Sequence, residues 1–138
     1  MSDVIQTAYK EVQTAIYTLL TGGGSPISCN VYDEVPEGAA FPYVVMADFY
    51  DAPFEARDVN GRSISLEFHV FSRNAGGKFE TYDIMDEICG KITAGKLTIT
   101  GWKEVWKVME NSYIEQLKEE PGISWLGHLP FTIVAVRS

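Results

Sequence analysis

The sequence is short of cations, of cysteines and of long apolar runs, and each shortage removes a class of function. Lys and Arg number 11 against 19 Asp and Glu, a formal net charge of −8. Neutralising phosphates needs clustered Lys and Arg, so this balance argues against a general nucleic-acid binder. It fits a surface that repels DNA, or plain solubility. The two cysteines, Cys29 and Cys89, stand in unrelated contexts without metal-ligand spacing. They read as buried or half-buried thiols in a reducing cytosol, with a disulfide between them left open. No apolar run approaches the roughly 20 residues of a membrane span. The first residues, Met-Ser-Asp-Val, have no basic stretch leading into an apolar one, so a chain folded in the cytosol is expected. Gly22-Gly23-Gly24 is followed by no Lys-Ser/Thr and no opening helix, which removes the phosphate-loop reading.

What is present is ordinary globular composition, 46% hydrophobic and 22% charged over 138 residues, which places the chain outside the disordered class. The length predicts one domain, 1–138, able to bury about two-thirds of its unfolded surface.

Val4, Ile5, Ala8, Tyr9, Val12, Ala15, Ile16, Leu19 and Leu20 recur at three- and four-residue spacing and predict a helix over 3–21, capped by Ser2 or Asp3 and ended by the glycine run. Strands follow over 27–33 and 43–49. Between them Pro36 suits the second position of a turn and Gly38 the fourth. Pro42 holds Phe41 extended, and their peptide bond is expected trans, with cis the alternative.

The segment 50–62 is long for a hairpin connection, and Pro53 should break any strand in its middle. It reads as a projecting arm in which Phe54 meets a partner, or as an arm folded back on its own sheet. Residues 63–71 alternate cleanly, with Ile64, Leu66, Phe68 and Val70 inward and Ser63, Ser65, Glu67 and His69 outward. His69 and Glu67 read as a surface pair, since no further ligand stands at metal-binding spacing.

A second helix is expected over about 77–94, with a buried stripe of Phe79, Tyr82, Met85, Ile88, Cys89 and Ile92. Its Glu80, Asp83, Asp86 and Glu87 read as a solvated face rather than an acid/base or metal site. Short strand 97–100, long strand 106–117 and return strand 125–136 complete the chain, with a Pro121-Gly122 turn before the last. On the long strand Trp106, Val108, Glu110, Ser112 and Ile114 share one side. On the return strand Trp125, Gly127, Leu129, Phe131, Ile133 and Ala135 do, and Pro130 marks an edge or bulge. His128 lies on the other face, with no visible ligand partners. The expected fold class is α+β: two layers, a mainly antiparallel β-sheet with two helices on one face, in the order α-β-β-β-α-β-β-β. The opposite sheet face is left to solvent or to another chain.

No catalytic, cofactor or metal motif is legible. The segment Val31-Tyr32-Asp33-Glu34-Val35-Pro36, followed by Phe41-Pro42-Tyr43-Val44, resembles the tail-completion (tail-terminator) proteins of long-tailed phages and prophages. Phe71-Ser72-Arg73 and the break at Gly76-Gly77 extend the resemblance, although that family more often has Trp where Phe71 stands. The match is good over 31–90 and topological beyond.

The resemblance implies a virion structural protein and no enzyme: a hexameric ring that caps the head-proximal end of the tail tube and docks the head connector. Its partners would be itself, the tail tube protein and a head-completion protein, with DNA passing unbound through the lumen and no membrane. It would assemble in the host cytoplasm and reside in the virion tail. On loop length and composition, Asp51, Phe54, Glu55, Arg57 and Asp58 are the candidate subunit contacts. The alternatives are another neck, head-closure or tube protein, or a small α+β ligand-binding domain or enzyme.

Overall fold

The computed structural model describes residues 7–22, 26–56, 59–73, 77–119 and 122–137, with the backbone alone for 55, 56, 59, 60, 119, 122 and 123. Helix α1 spans Tyr9–Thr21 and α2 Phe79–Thr93. The strands are β1 Asn30–Tyr32, β2 Tyr43–Ala56, β3 Val59–Ser72, β4 Trp102–Met109, β5 Tyr113–Glu119 and β6 Gly122–Arg137. The sheet order is β1-β2-β3-β6-β4, and β5 also pairs with β6. This is the expected α+β order. One pairing departs from it: β1 runs parallel to β2, with Val31 opposite Val44.

Both helices cover the same sheet face. Ala8, Val12, Ile16 and Leu20 recur every four residues on α1 and are fully buried, in one core with Ile64, Leu66, Phe68 and Val70 of β3 and Leu129, Phe131, Ile133 and Ala135 of β6. The α1 stripe is narrower than expected, and Tyr9 lies partly exposed. The expected caps Ser2 and Asp3 lie outside the described residues. The helix ends at Gly22, whose N–H donates to the Thr18 carbonyl at 2.8 Å; a Cβ there would meet that oxygen at 2.8 Å.

Helix α2 is rotated from the expected stripe. Thr81, Ile84, Met85, Ile88 and Ile92 face the sheet, whereas Phe79 is 78% exposed and Tyr82 41%. The reason lies in β6. Gly127 has no side chain, and a Cβ there would meet Met85 Sδ at 2.8 Å and Thr81 Cγ2 at 3.0 Å, so the 81/85 side of the helix packs closest. The acidic face is also not simply solvated. Glu87 accepts from the Ser28 N–H and hydroxyl, each at 2.7 Å, and Glu80 accepts from the Ser72 hydroxyl at 2.6 Å.

Residues 50–56 and 59–62 are strand, not loop. β2 continues to Ala56 and pairs with β3 from Val59, with Pro53 opposite Arg62 and Phe54 opposite Gly61. Pro53 is tolerated because β1 pairs with 43–45, and beyond these β2 is an edge strand among the described residues, where a missing N–H breaks no second ladder. The turn before β2 also differs. The Ala39 N–H donates to the Pro36 carbonyl at 3.2 Å, so Pro36 stands first and Gly38 third, at φ 79. The Phe41-Pro42 bond is cis, the alternative rather than the default.

The expected strand 106–117 is two strands. Met109 faces Phe131 and Tyr113 faces His128, four residues against three, so the register slips across 110–112. Pro130 sits at that slip. It has no N–H to give, and its carbonyl accepts from the Glu110 N–H at 2.9 Å. Ile114 therefore falls on the helix side while Trp106 and Val108 stay on the other, and Glu110 and Ser112 lie outside both strands. Residues 97–100 form no strand beyond a bridge from Ile99 to Trp102; the Leu97 N–H is taken instead by Glu104 Oε1 at 2.9 Å. Cys29 and Cys89 are free thiols.

Candidate interaction surface

The sheet face away from the helices is the one that no described helix covers. Cross-strand partners place Tyr43, Val45, Ala47, Tyr50, Ala52 and Phe54 of β2 on it, beside Ser63, Ser65, Glu67, His69 and Phe71 of β3. His128, Pro130, Thr132 and Val134 of β6 continue it, then Trp106 and Val108 of β4 and Tyr113 and Glu115 of β5. Several of these are large and outward. Tyr50 is 70% exposed and Tyr113 56%, and Trp106 and Val108 are exposed as well. Apolar side chains on an open antiparallel face are the pattern expected of a contact surface.

The hairpin that bounds this face is held from inside. Asp51, expected as a subunit contact, has a fully buried side chain. Its carboxylate takes the Arg62 Nε–H and the Ala8 N–H, the latter at 2.7 Å, tying the start of α1 to the hairpin base. Its charge is thus satisfied within the subunit. Phe54 is half-buried with its ring over Gly61, where a Cβ would lie 3.1 Å from Phe54 Cδ2. This is the folded-back alternative for that side chain. Glu55 ends β2 with its side chain outside the description, and Arg57 and Asp58 lie outside the described residues. The β6 pairing of β3 starts at Gly61, opposite Val136, so Val59 and Asn60 pair with β2 alone among the described residues.

The residues quoted for the resemblance gather at one corner. Val31 and Val44 are buried cross-strand neighbours. Tyr43 stacks on Phe71, ring centroids 5.1 Å apart at 24°, and Phe41 packs against Tyr43 with Arg73 over its outer face at 4.3 Å. Ser72 is fully buried on Glu80. The segment from Asp33 through Val35 and Pro36 joins β1 to β2.

The sequence reading missed a polar cluster in the middle of the open face. His69 and His128 are direct cross-strand partners, ring centroids 5.0 Å apart. Glu67 Oε1 accepts from His69 Nε2 at 2.9 Å and from His128 Nδ1 at 2.5 Å. His128 Nε2 donates to Glu115 Oε1 at 2.7 Å, and the Tyr113 ring stacks on the imidazole at 4.2 Å. Burial disfavours the charged imidazole, but the bonds to Glu67 and Glu115 outweigh it and raise the His128 pKa above its ordinary value. Burial acts against ionised Glu67 too, but bonds from His128 and His69 outweigh it and lower that pKa. His128 thus has partners after all. No spacing rule could find them, because Glu67 and His128 stand 61 residues apart in the chain.

Residues 12–109 match the protein family described as Tail completion protein gp17. The chain belongs to this family. It is accordingly a structural protein of a phage-type virion, as the resemblance implied. A chain of a solved structure, the virion of a native gene transfer agent (GTA) particle, superposes with a TM-score of 0.75 over 95% of this chain and 98% of that one. Sequence identity is 15%, so this likeness is one of fold. A search of curated proteins found no match. No helix among the described residues is long and apolar enough to cross a membrane.

Proposed function

We propose that this tail-completion protein is a terminator: it caps the head-proximal end of the tail tube, stops tube polymerisation and forms the joint with the head connector, as a hexameric ring. The observation that carries the reading is a sheet with two unlike edges. From Met46 outward β2 pairs with no further strand among the described residues, and at the far side β4 and β5 lie end to end along β6. A ring needs heterologous contacts, one patch meeting a different patch on the next copy, and edges of this kind can supply them.

The outward Tyr50 and Tyr113 on the face between those edges are anchors of the type that dominate interfaces. Glu55, Arg57 and Asp58 are assigned to subunit contact on their sequence alone, Phe54 through whatever part of its half-buried ring stays open beside Gly61, and Asp51 to holding the hairpin for it. The partners are further copies of the chain, the tube protein and the head-completion protein. Excess negative charge lets DNA pass the lumen without sticking. No chemical step is required of the chain, which assembles in the host cytoplasm as one domain and remains in the virion tail.

The test is genetic and microscopic. Particles lacking the protein should show overlong tubes without heads, and the purified chain should close into rings or bind tube ends. A strict monomer with no effect on tube ends overturns the reading. Tails of normal length with detached heads would move the protein to head closure.

A further inference from the structure

The cluster on the open face has the make-up of a metal centre. Glu67, His69 and His128 each offer one ligand atom, and these atoms all lie within 4.8 Å of one another. A fourth group is aimed at them. Asp48 lies in the bulge of β2 between Ala47 and Tyr50 with φ at 53, and its Oδ2 is 3.6 Å from His69 Nε2. Bulges re-aim side chains, and a left-handed non-glycine residue at one is uncommon backbone.

We propose that Asp48, Glu67, His69 and His128 bind one divalent first-row transition ion, Zn²⁺ the best fit, across strands β2, β3 and β6. Two imidazoles with carboxylates select such ions over Mg²⁺ or Ca²⁺, which take oxygen sets. Glu115 completes the arrangement from β5. It holds the Nε2–H of His128, which leaves Nδ1 turned toward Glu67 and the ion, the carboxylate–histidine brace found behind metal-ligating imidazoles. The proton balance is simple. The ion displaces the His128 Nδ1 proton, which leaves to solvent as one proton released per ion bound, the His69 proton moves to its Nδ1, and His128 keeps its Nε2 proton on Glu115.

Among Glu67, His69 and His128 the adjustment needed is small, and Asp48, whose side chain is 60% exposed, swings in beside His69. Ligand atoms about 2.0–2.2 Å from a tetrahedral ion stand about 3.4 Å apart. Glu67 Oε1 is now at 2.5 and 2.9 Å from the two nitrogens, and its side chain is a quarter exposed and able to draw back. The site rests on this geometry and not on the terminator reading, so either can fail alone.

The experiment uses the full chain stripped with chelator, titrated with Zn²⁺ and separately with Mg²⁺ by calorimetry and thermal unfolding. One Zn²⁺ per chain with a raised Tm is expected, and no response to Mg²⁺. His69→Gln, at a half-buried position, should weaken Zn²⁺ binding by more than about tenfold, and Glu115→Ala, which removes only the brace, by about tenfold. Co²⁺ should give the strong visible absorption of a four-coordinate site in the native chain and not in His69→Gln. Equal affinity in native and His69→Gln chains, no saturable binding, or the weak spectrum of hexa-aquo Co²⁺ each overturn the proposal. If His128→Gln does not fold, the His69→Gln titration and the cobalt spectrum still decide.

Discussion

Asp51 and Arg62 form a diagonal ion pair across the β2–β3 hairpin, Asp51 standing opposite Ile64 and Arg62 opposite Pro53, with the Asp51 side chain wholly buried and the Arg62 side chain 13% exposed. Breaking a buried pair on one side leaves the other charge uncompensated. Asp51→Ala also orphans the Ala8 N–H at the start of α1. We expect a loss of about 3–5 kcal/mol, read as a lower urea midpoint at unchanged slope. A change within experimental error would show that the pair carries no net stability.

Gly61 has no room for a side chain. A Cβ there would lie 2.5 Å from the Phe54 carbonyl oxygen and 3.3 Å from that of Ala135, both backbone atoms. Gly61→Ala should cost about 1–3 kcal/mol through a forced backbone shift. Amide exchange should quicken first in the outer half of the hairpin, and a uniform response across the sheet would contradict this account.

Tyr50 is exposed and outside the core. Tyr50→Ser should leave the Tm of the isolated chain unchanged while reducing ring formation or tube-end binding by tenfold or more, as loss of about 1.4 kcal/mol at an interface does. Native mass spectrometry beside thermal unfolding separates the two. Unaltered assembly would remove Tyr50 from the interface.

The charge cluster gives a pH signature in metal-free protein. His128 has a raised folded-state pKa, so its contribution is full below the ordinary value of 6.5 and is lost as pH rises through the folded value. Glu67 has a lowered one, so its contribution is present above 4.5 and is lost as pH falls. The groups facing His128 are Glu67, Glu115, His69 and Tyr113, and Asp48 stands beyond His69. In chelator, the stability difference between the native chain and Glu115→Ala should be largest at about pH 5–6 and shrink by about pH 9. A difference that grows with pH would reverse the assigned sign.

Cys29 has its thiol pKa pushed up to about 11 by burial, with Glu87 and Glu80 adding to the shift. Alkylation proceeds through the thiolate, so at about pH 8 it should run about a hundredfold slower than at an unperturbed cysteine. Cys89 is shifted the same way, by burial and then Asp86. Mass spectrometry after iodoacetamide treatment, with and without guanidinium, reads both sites. Fast labelling of the folded chain would mean that neither thiol is held as described.

What the sequence determined by itself was burial along β3 and along the main row of α1. The alternation of Ile64, Leu66, Phe68 and Val70 put those four inside, and the four-residue row from Ala8 to Leu20 did the same for α1, because side-chain direction follows the local repeat of the backbone. The order of helices and strands and the family corner at Val31 to Val44 were equally local. Tertiary structure decided the rest. Pro53 could stay in a strand because β2 is an edge there among the described residues, and α2 turned Phe79 outward because Gly127 admits Met85 and Thr81. His69 met His128 only through the β3–β6 register, with Pro130 marking where β6 changes partners from β4 to β5. Those outcomes depend on which strand lies beside which, a relation between distant segments that no contiguous stretch of residues encodes.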